Sequence, residues 1–151
     1  MHLATTRDSL LPVFFNVDTS VGKGGQNTSQ EDILLVQFLI QATAEASTPA
    51  KTAGDDAVRQ RAANLPATGV ADDATTDCIR AWQQARKSGR SATIVDGRVN
   101  PARGIFYVSN AEWTIVDLNA VFRKSFPRLW PRLHDHPKCP AALKARMAQV
   151  L

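Results

Sequence analysis

The chain has few of the residues from which disulfide scaffolds and redox sites are built. Among 151 residues it carries two cysteines, Cys78 and Cys139, without CxxC spacing. That excludes a disulfide framework and a thioredoxin-type motif, and Cys78, inside a helix-forming stretch, reads as a small buried apolar group. Long apolar runs are missing as well: the longest, from Ile33 to Ile40, is far below the ~20 residues that a membrane-crossing helix needs. Met1 to Asp8 lacks a basic segment leading into an apolar core, and Leu10 to Phe15 is broken by Pro12. No secretion signal is therefore expected, and synthesis in the cytoplasm is.

Catalytic signatures are equally scarce. There is no H-E-x-x-H helix and no G-x-S-x-G elbow, so neither zinc-assisted hydrolysis nor a serine nucleophile is indicated. The paired acids Asp55-Asp56 and Asp72-Asp73 are sequence neighbours whose carboxylates diverge, which suits solvent exposure or helix capping better than acid and base work. Glu112 has no evident partner. His134-Asp135-His136 with Cys139 assembles metal-ligand types, but Pro131, Pro137 and Pro140 mark a connecting loop and no fourth ligand is evident. The expectation is no catalytic residue, no metal and no cofactor.

What is present is the make-up of a soluble globular chain with one sizeable core, 44% hydrophobic and 21% charged. Its net charge of +4 is uneven. Residues 1–100 hold 10 basic against 11 acidic groups, and residues 101–151 hold 8 against 3. The basic last third favours acidic partners. Arg80, Arg86, Lys87 and Arg90 do not share one exposed helical face with base-reading Asn or Gln, so no nucleic-acid partner is expected.

Periodicity predicts a mainly helical fold. After an irregular arm over residues 1–27, Gly22-Lys23-Gly24-Gly25 reads as a flexible loop, and Thr28 with Glu31 has the form of a capping box. The run Ile33 to Ile40, apolar nearly all round, predicts a core helix reaching about Ala46. Residues 47–66, with Pro49 and Gly54 and only Val58 as a large apolar group in the helix-compatible part, read as an exposed inserted helix. Ala74, Cys78, Ala81, Trp82 and Ala85 form one face of a further helix that Thr75 can cap and Gly89 can stop. Asp96-Gly97 suggests a hairpin over Ser91 to Val99, and Ile105 to Val108 a short strand. Helical spacing resumes from Thr114 through Ile115, Leu118, Val121 and Phe122 until Pro127, and a last helix from Pro140 buries Leu143, Met147 and Val150.

Three segments in order resemble the peptidoglycan-binding domain, a cell-wall anchor found on many amidases, lytic enzymes and phage proteins. Asp32 to Ile40 matches its D-x-x-x-V-Q-x-x-L helix through Val36-Gln37. Thr68-Gly69-Val70-Ala71-Asp72-Asp73-Ala74-Thr75, running into Ala81-Trp82-Gln83, matches its glycine turn and F/W-Q helix. Val95-Asp96-Gly97-Arg98-Val99-Asn100-Pro101 matches its closing D-G-x-V-G-P turn. Thr68 stands where the family has an acid, Asn100 where it has glycine, and the link before Thr68 is long. The resemblance covers residues 28–104, with 47–66 inserted and 105–151 as a C-terminal helical extension.

The resemblance implies a small helical bundle with a short hairpin that binds peptidoglycan, stem peptide or glycan, without catalysis. The ligand-binding residues it implies are Thr68, Gly69, Asp72, Asp96, Gly97, Arg98 and Val99. Gln37 and Gln83 can hydrogen-bond the two glycine loops, and the repeated V-Q and W-Q suggest two related half-units. Reaching the wall would require lysis, as for a phage product, or a dedicated secretion route. The alternative function is a structural or adaptor protein that keeps the fold and binds a protein partner through its basic C-terminal third. Trp82 is placed in the core, whereas Trp113, Tyr107 and Trp130 are equal candidates for a stacking platform or for packing.

Overall fold

A helix whose residues are apolar on every side needs protein on every side, and α1, Gln30–Ala46, has it: all residues from Asp32 to Ile40 are buried. The computed structural model describes residues 1–46, 53–88, 93–104 and 113–151. Around α1 stand α2 (Ala53–Ala63), α3 (Asp73–Lys87), α4 (Thr114–Ser125) and α5 (Ala141–Val150), and the described residues are mainly helical. None of these helices is long and apolar enough to cross a membrane. The Gly89 stop, the strand over 105–108, Tyr107 and residues 47–52 of the insertion lie outside the described residues.

The N-terminal arm is not irregular. Strands β1 (His2–Thr5) and β2 (Val13–Asn16) form an antiparallel hairpin, and Leu11, Phe14, Phe15 and Val17 join the core at 1% exposure or less. A short hairpin thus lies at the N-terminus; around Asp96-Gly97 the described residues 93–95 form no strand, and Ser91 and Ala92 lie outside the described residues. Arg98–Val99, strand β4, pairs instead with Val21–Gly22, strand β3. Asn119 of α4 closes the inner edge of the hairpin: its Oδ1 accepts from Phe15 N–H at 2.9 Å and its Nδ2 donates to Phe15 C=O at 3.0 Å. A side-chain amide carries the same donor and acceptor as a peptide group, so a helix can stand in for a neighbouring strand.

The Gly22-Lys23-Gly24-Gly25 loop is also tied down. Asn27, at φ 51°, accepts from Gly22 N–H at 2.8 Å and donates to the carbonyls of Gly22 and Gly25, while Lys23 N–H donates to Gly97 C=O at 3.0 Å. Here backbone pairing overrides the freedom that glycine composition suggests.

Capping differs from the sequence reading by one or a few positions. Ser29, not Thr28, receives the first turn of α1, with Asp32 N–H on its hydroxyl. Asp32 turns outward from the helix to accept from Asp18 N–H, Thr19 N–H and the Thr19 hydroxyl, and lies 2.9 Å from the Met1 amino group. Asp72, not Thr75, caps α3, accepting from Thr75 N–H at 2.8 Å. The buried face of α3 is Thr75, Cys78, Ile79, Trp82 and Gln83, rotated from the predicted one, since Ala74 is exposed and Ala81 and Ala85 are only half-buried. Two hydrogen-bonded polar side chains occupy core positions that an apolar count passes over.

The inserted helix α2 exists but is not simply exposed. Val58 and Ala62 are 4% exposed and Leu65, just beyond it, is 2%, so one narrow stripe suffices to seat α2 on α3 and α1. Helix α4 packs closely on the rest of the fold. Ile115, Val116, Leu118 and Phe122 are fully buried, and α4 lies against both α1 and β2. Val121 is half-buried. In α5, Leu143 and Met147 are fully buried and Val150 packs partly on the core.

His136 lies among aromatic rings, 5.4 Å from Phe38, 5.9 Å from Phe122 and 4.9 Å from Phe126 between centroids. Its Nδ1 accepts Lys138 N–H at 3.2 Å, which requires a neutral ring, and burial lowers its pKa from 6.5. A histidine protonated more readily unfolded than folded favours the folded state above the unfolded pKa. Stability is therefore expected to fall as pH drops below about 6.5. Urea midpoints measured between pH 7 and pH 5 should show this slope, and His136→Leu should flatten it.

Candidate functional site

Two glutamines organise the surface that the motifs implicate. Gln37 of α1 accepts Gly69 N–H at 3.0 Å through Oε1, and its Nε2 donates to Val70 C=O at 3.0 Å and to the Thr75 hydroxyl at 2.9 Å. Gln83 of α3 repeats the arrangement. Its Oε1 accepts Gly97 N–H at 2.8 Å and Asp96 N–H at 3.1 Å, and its Nε2 donates to Arg98 C=O at 2.9 Å and to the Thr114 hydroxyl at 3.1 Å. In each case one buried amide holds the N–H of a glycine, the carbonyl of the next residue and a threonine in the first turn of a following helix. The related half-units are thus α1 with the Gly69 turn and α3, then α3 with the Gly97 turn and α4.

Glycine is required at both bends. Gly69 and Gly97 have φ of +73° and +76°, and a Cβ on Gly69 would lie 2.4 Å from Gln30 Cγ. Asp72 carries a carboxyl held below its usual pKa, first by the Thr75 hydroxyl and then by the Thr75 N–H. Both bends converge on α3: the first runs into its N-terminus, and the second lies beside Thr76 and Arg80, 3.2 and 3.3 Å from where a Gly97 Cβ would stand.

The implied site residues divide into two groups. Thr68 and Asp72 are exposed beside the buried Gly69; Asp96 and Arg98 are half-buried beside the buried Gly97 and Val99. Val99 is 0% exposed, so its side chain belongs to the core. Arg98 bridges the second bend to the glycine loop, with Nη1 3.5 Å from Gly24 C=O and Nη2 3.8 Å from Asp96 Oδ2. Next to it is a pocket of about 100 Å³ lined by Asp96, Arg98, Asn100, Trp113 and Ile94. Ile94 is 65% exposed. Ile94 and Asn100 are not among the residues the sequence implies for the site: no local motif marks Ile94, and Asn100 stands in the closing motif only as a departure from its glycine; Trp113 is legible only as an aromatic in irregular sequence.

No family model, curated protein or solved structure matches the chain.

Trp82 is a packing residue: its Nε1 donates to Asp117 Oδ2 at 3.1 Å, and Arg86 stacks 4.5 Å above its ring. It faces α4 through that bond, while the ring contacts of Phe38 are with Phe122 and His136. Trp130 packs on Phe15 and Phe122, which leaves Trp113 as the pocket-lining aromatic among the described residues. Burial pushes the Cys78 and Cys139 thiols up to about 11, a range in which neither is an active nucleophile near neutrality. Asp56 is used by Arg59 and Gln60. No three His, Cys, Asp or Glu side chains among the described residues gather as a metal site.

The arrangement suits recognition. A guanidinium, a carboxylate and an amide beside an indole offer donors, an acceptor and an apolar face to a small polar group bearing a carboxylate or an N-acetyl substituent.

Proposed function

We propose that the chain is a non-catalytic binding module for bacterial cell-wall peptidoglycan, taking stem peptide or glycan at the surface around the Gly97 bend. The observation that carries this reading is the matched pair of glutamine clamps. The residues that resemble the peptidoglycan-binding domain, Val36-Gln37 with Gly69 and Trp82-Gln83 with Gly97, act as two copies of one device on touching helices. Asp96, Arg98, Asn100 and Trp113 then supply the contacts, with Arg98 as the donor to a stem-peptide carboxylate. Thr68 and Asp72 border the other bend. Delivery would be by lysis or by a dedicated secretion route.

Purified sacculi should retain the protein on sedimentation, and Arg98→Ala should weaken retention roughly tenfold, the usual worth of one charge-assisted contact. Absence of retention by the unaltered protein would sink the proposal. An adaptor role is the second reading, favoured by cations on α4 that lack acidic partners among the described residues.

A further inference from the structure

The structure sorts the basic groups of the last third. Arg132 lies 3.3 Å from Asp135, Arg146 3.3 Å from Glu31, and Lys138 pairs with Glu45. Arg123 and Lys124, in the last turn of α4, have no acidic partner among the described residues. Cations at a helix C-terminus commonly only offset its negative end. These two do more than face solvent, because both line a pocket of about 480 Å³ at the junction of α3, α4 and the β1–β2 loop. That size falls within the roughly 300–1,000 Å³ of pockets that enclose ligands.

The pocket has an apolar wall and a prepared donor. Leu10, 69% exposed at the tip of the hairpin loop, faces it together with Val121 and Pro127. Arg86 lines it too, and its position is set twice, by stacking on Trp82 at 4.5 Å and by its Nε 3.2 Å from Asp117 Oδ2. A guanidinium held in this way loses little freedom when a carboxylate takes its outer edge. The described lining carries three cations, Arg86, Arg123 and Lys124, against one carboxylate, Asp117, a net charge of +2.

We infer that this pocket is a second binding site, taking a segment of a partner protein in which a leucine-sized side chain stands beside glutamate or aspartate. The apolar side chain lies against Leu10, Val121 and Pro127, the carboxylate meets Arg86, and Arg123 and Lys124 attract and orient the approaching acidic chain. The site shares none of its described lining residues with the pocket beside Arg98, and the inference does not rest on wall binding.

The test is an amide-shift titration of the isotope-labelled full chain with a capped tetrapeptide alternating leucine and glutamate. A tetrapeptide alternating leucine and lysine serves as control. Saturable shifts at Leu10, Val121 and Lys124 are expected with the acidic peptide alone, and the double variant R123E/K124E should bind it at least roughly tenfold more weakly. No saturable shift, equal shifts with the lysine peptide, or unchanged affinity in the double variant overturns the inference. Shifts at the same amides with anionic phospholipid vesicles but not with the peptide overturn it too, in favour of a membrane surface. R123E/K124E should keep full retention on sacculi, so failure here and failure of the wall-binding reading are read separately.

Discussion

Replacing Gln83 by alanine is expected to lower the unfolding free energy by about 4 kcal/mol, because buried groups that lose their partners each cost about 1–3 kcal/mol. The side chain is 1% exposed and serves the N–H groups of Asp96 and Gly97, the carbonyl of Arg98 and the Thr114 hydroxyl. Alanine leaves all of these without that partner between α3 and α4. Partial access of water at the half-buried Asp96 and Arg98 keeps the loss below the full sum. Gln83→Glu makes the assignment specific: its carboxylate still accepts both N–H groups but opposes the Arg98 carbonyl and the Asp96 carboxylate, to which the amide Nε2 donates at 2.9 and 3.1 Å, so its loss should be no smaller than that of alanine. Urea unfolding of the three proteins checks the order, and a Gln83→Ala protein as stable as the parent would contradict the clamp.

Gly22→Ala is the second large effect. Gly22 sits at φ +102°, and a Cβ there would lie 2.3 Å from the Gly97 carbonyl oxygen and 2.9 Å from Ile79 Cδ1. That oxygen accepts Lys23 N–H at 3.0 Å, so it cannot retreat without breaking the contact between the glycine loop and the Gly97 bend. Backbone strain and the clash together should cost about 3 kcal/mol or more. Gly24→Ala is the matched control. Its φ is +64° and the nearest atom to its Cβ would be Arg98 Nη1 at 3.9 Å, so only the left-handed backbone penalty of about 1 kcal/mol applies. Thermal unfolding of the two variants should separate them clearly; equal losses would mean that the approach to Gly97 is not what demands glycine at position 22.

Much of the helical framework was legible because helices write their burial into nearby sequence. The run Ile33 to Ile40 marked the central helix, Ile115, Leu118 and Phe122 marked α4, and Leu143 with Met147 marked α5. The glutamine clamps were legible too, since a glutamine beside each core aromatic or branched residue and a glycine in each bend are local signals. The hairpin was not. His2–Thr5 and Val13–Asn16 are four residues each, too short for alternation to show, and the edge of β2 is completed by Asn119, 104 positions away. The Asp96-Gly97 dipeptide promised a turn and delivered one, but its strand paired with Val21–Gly22. A turn signal names the bend and says nothing about which distant strand will meet it. For the same reason the burial of α2 was missed, because Val58, Ala62 and Leu65 make a stripe that becomes apolar surface in contact only when α3 is laid beside it.

By itself the sequence determined the helical class, the central place of Ile33 to Ile40, the two glycine bends and the glutamines that hold them. Each of these depends on side-chain spacing or backbone freedom within a few residues. Only the tertiary structure decided that Asp72 caps α3, that Val99 is core and not contact surface, and that Trp113 joins Arg98 at a pocket. It alone also sets Arg86 between Trp82 and Asp117 at the floor of another pocket. Those outcomes arise from pairings across long stretches of chain, where close packing and hydrogen-bond satisfaction, not local propensity, select the partner.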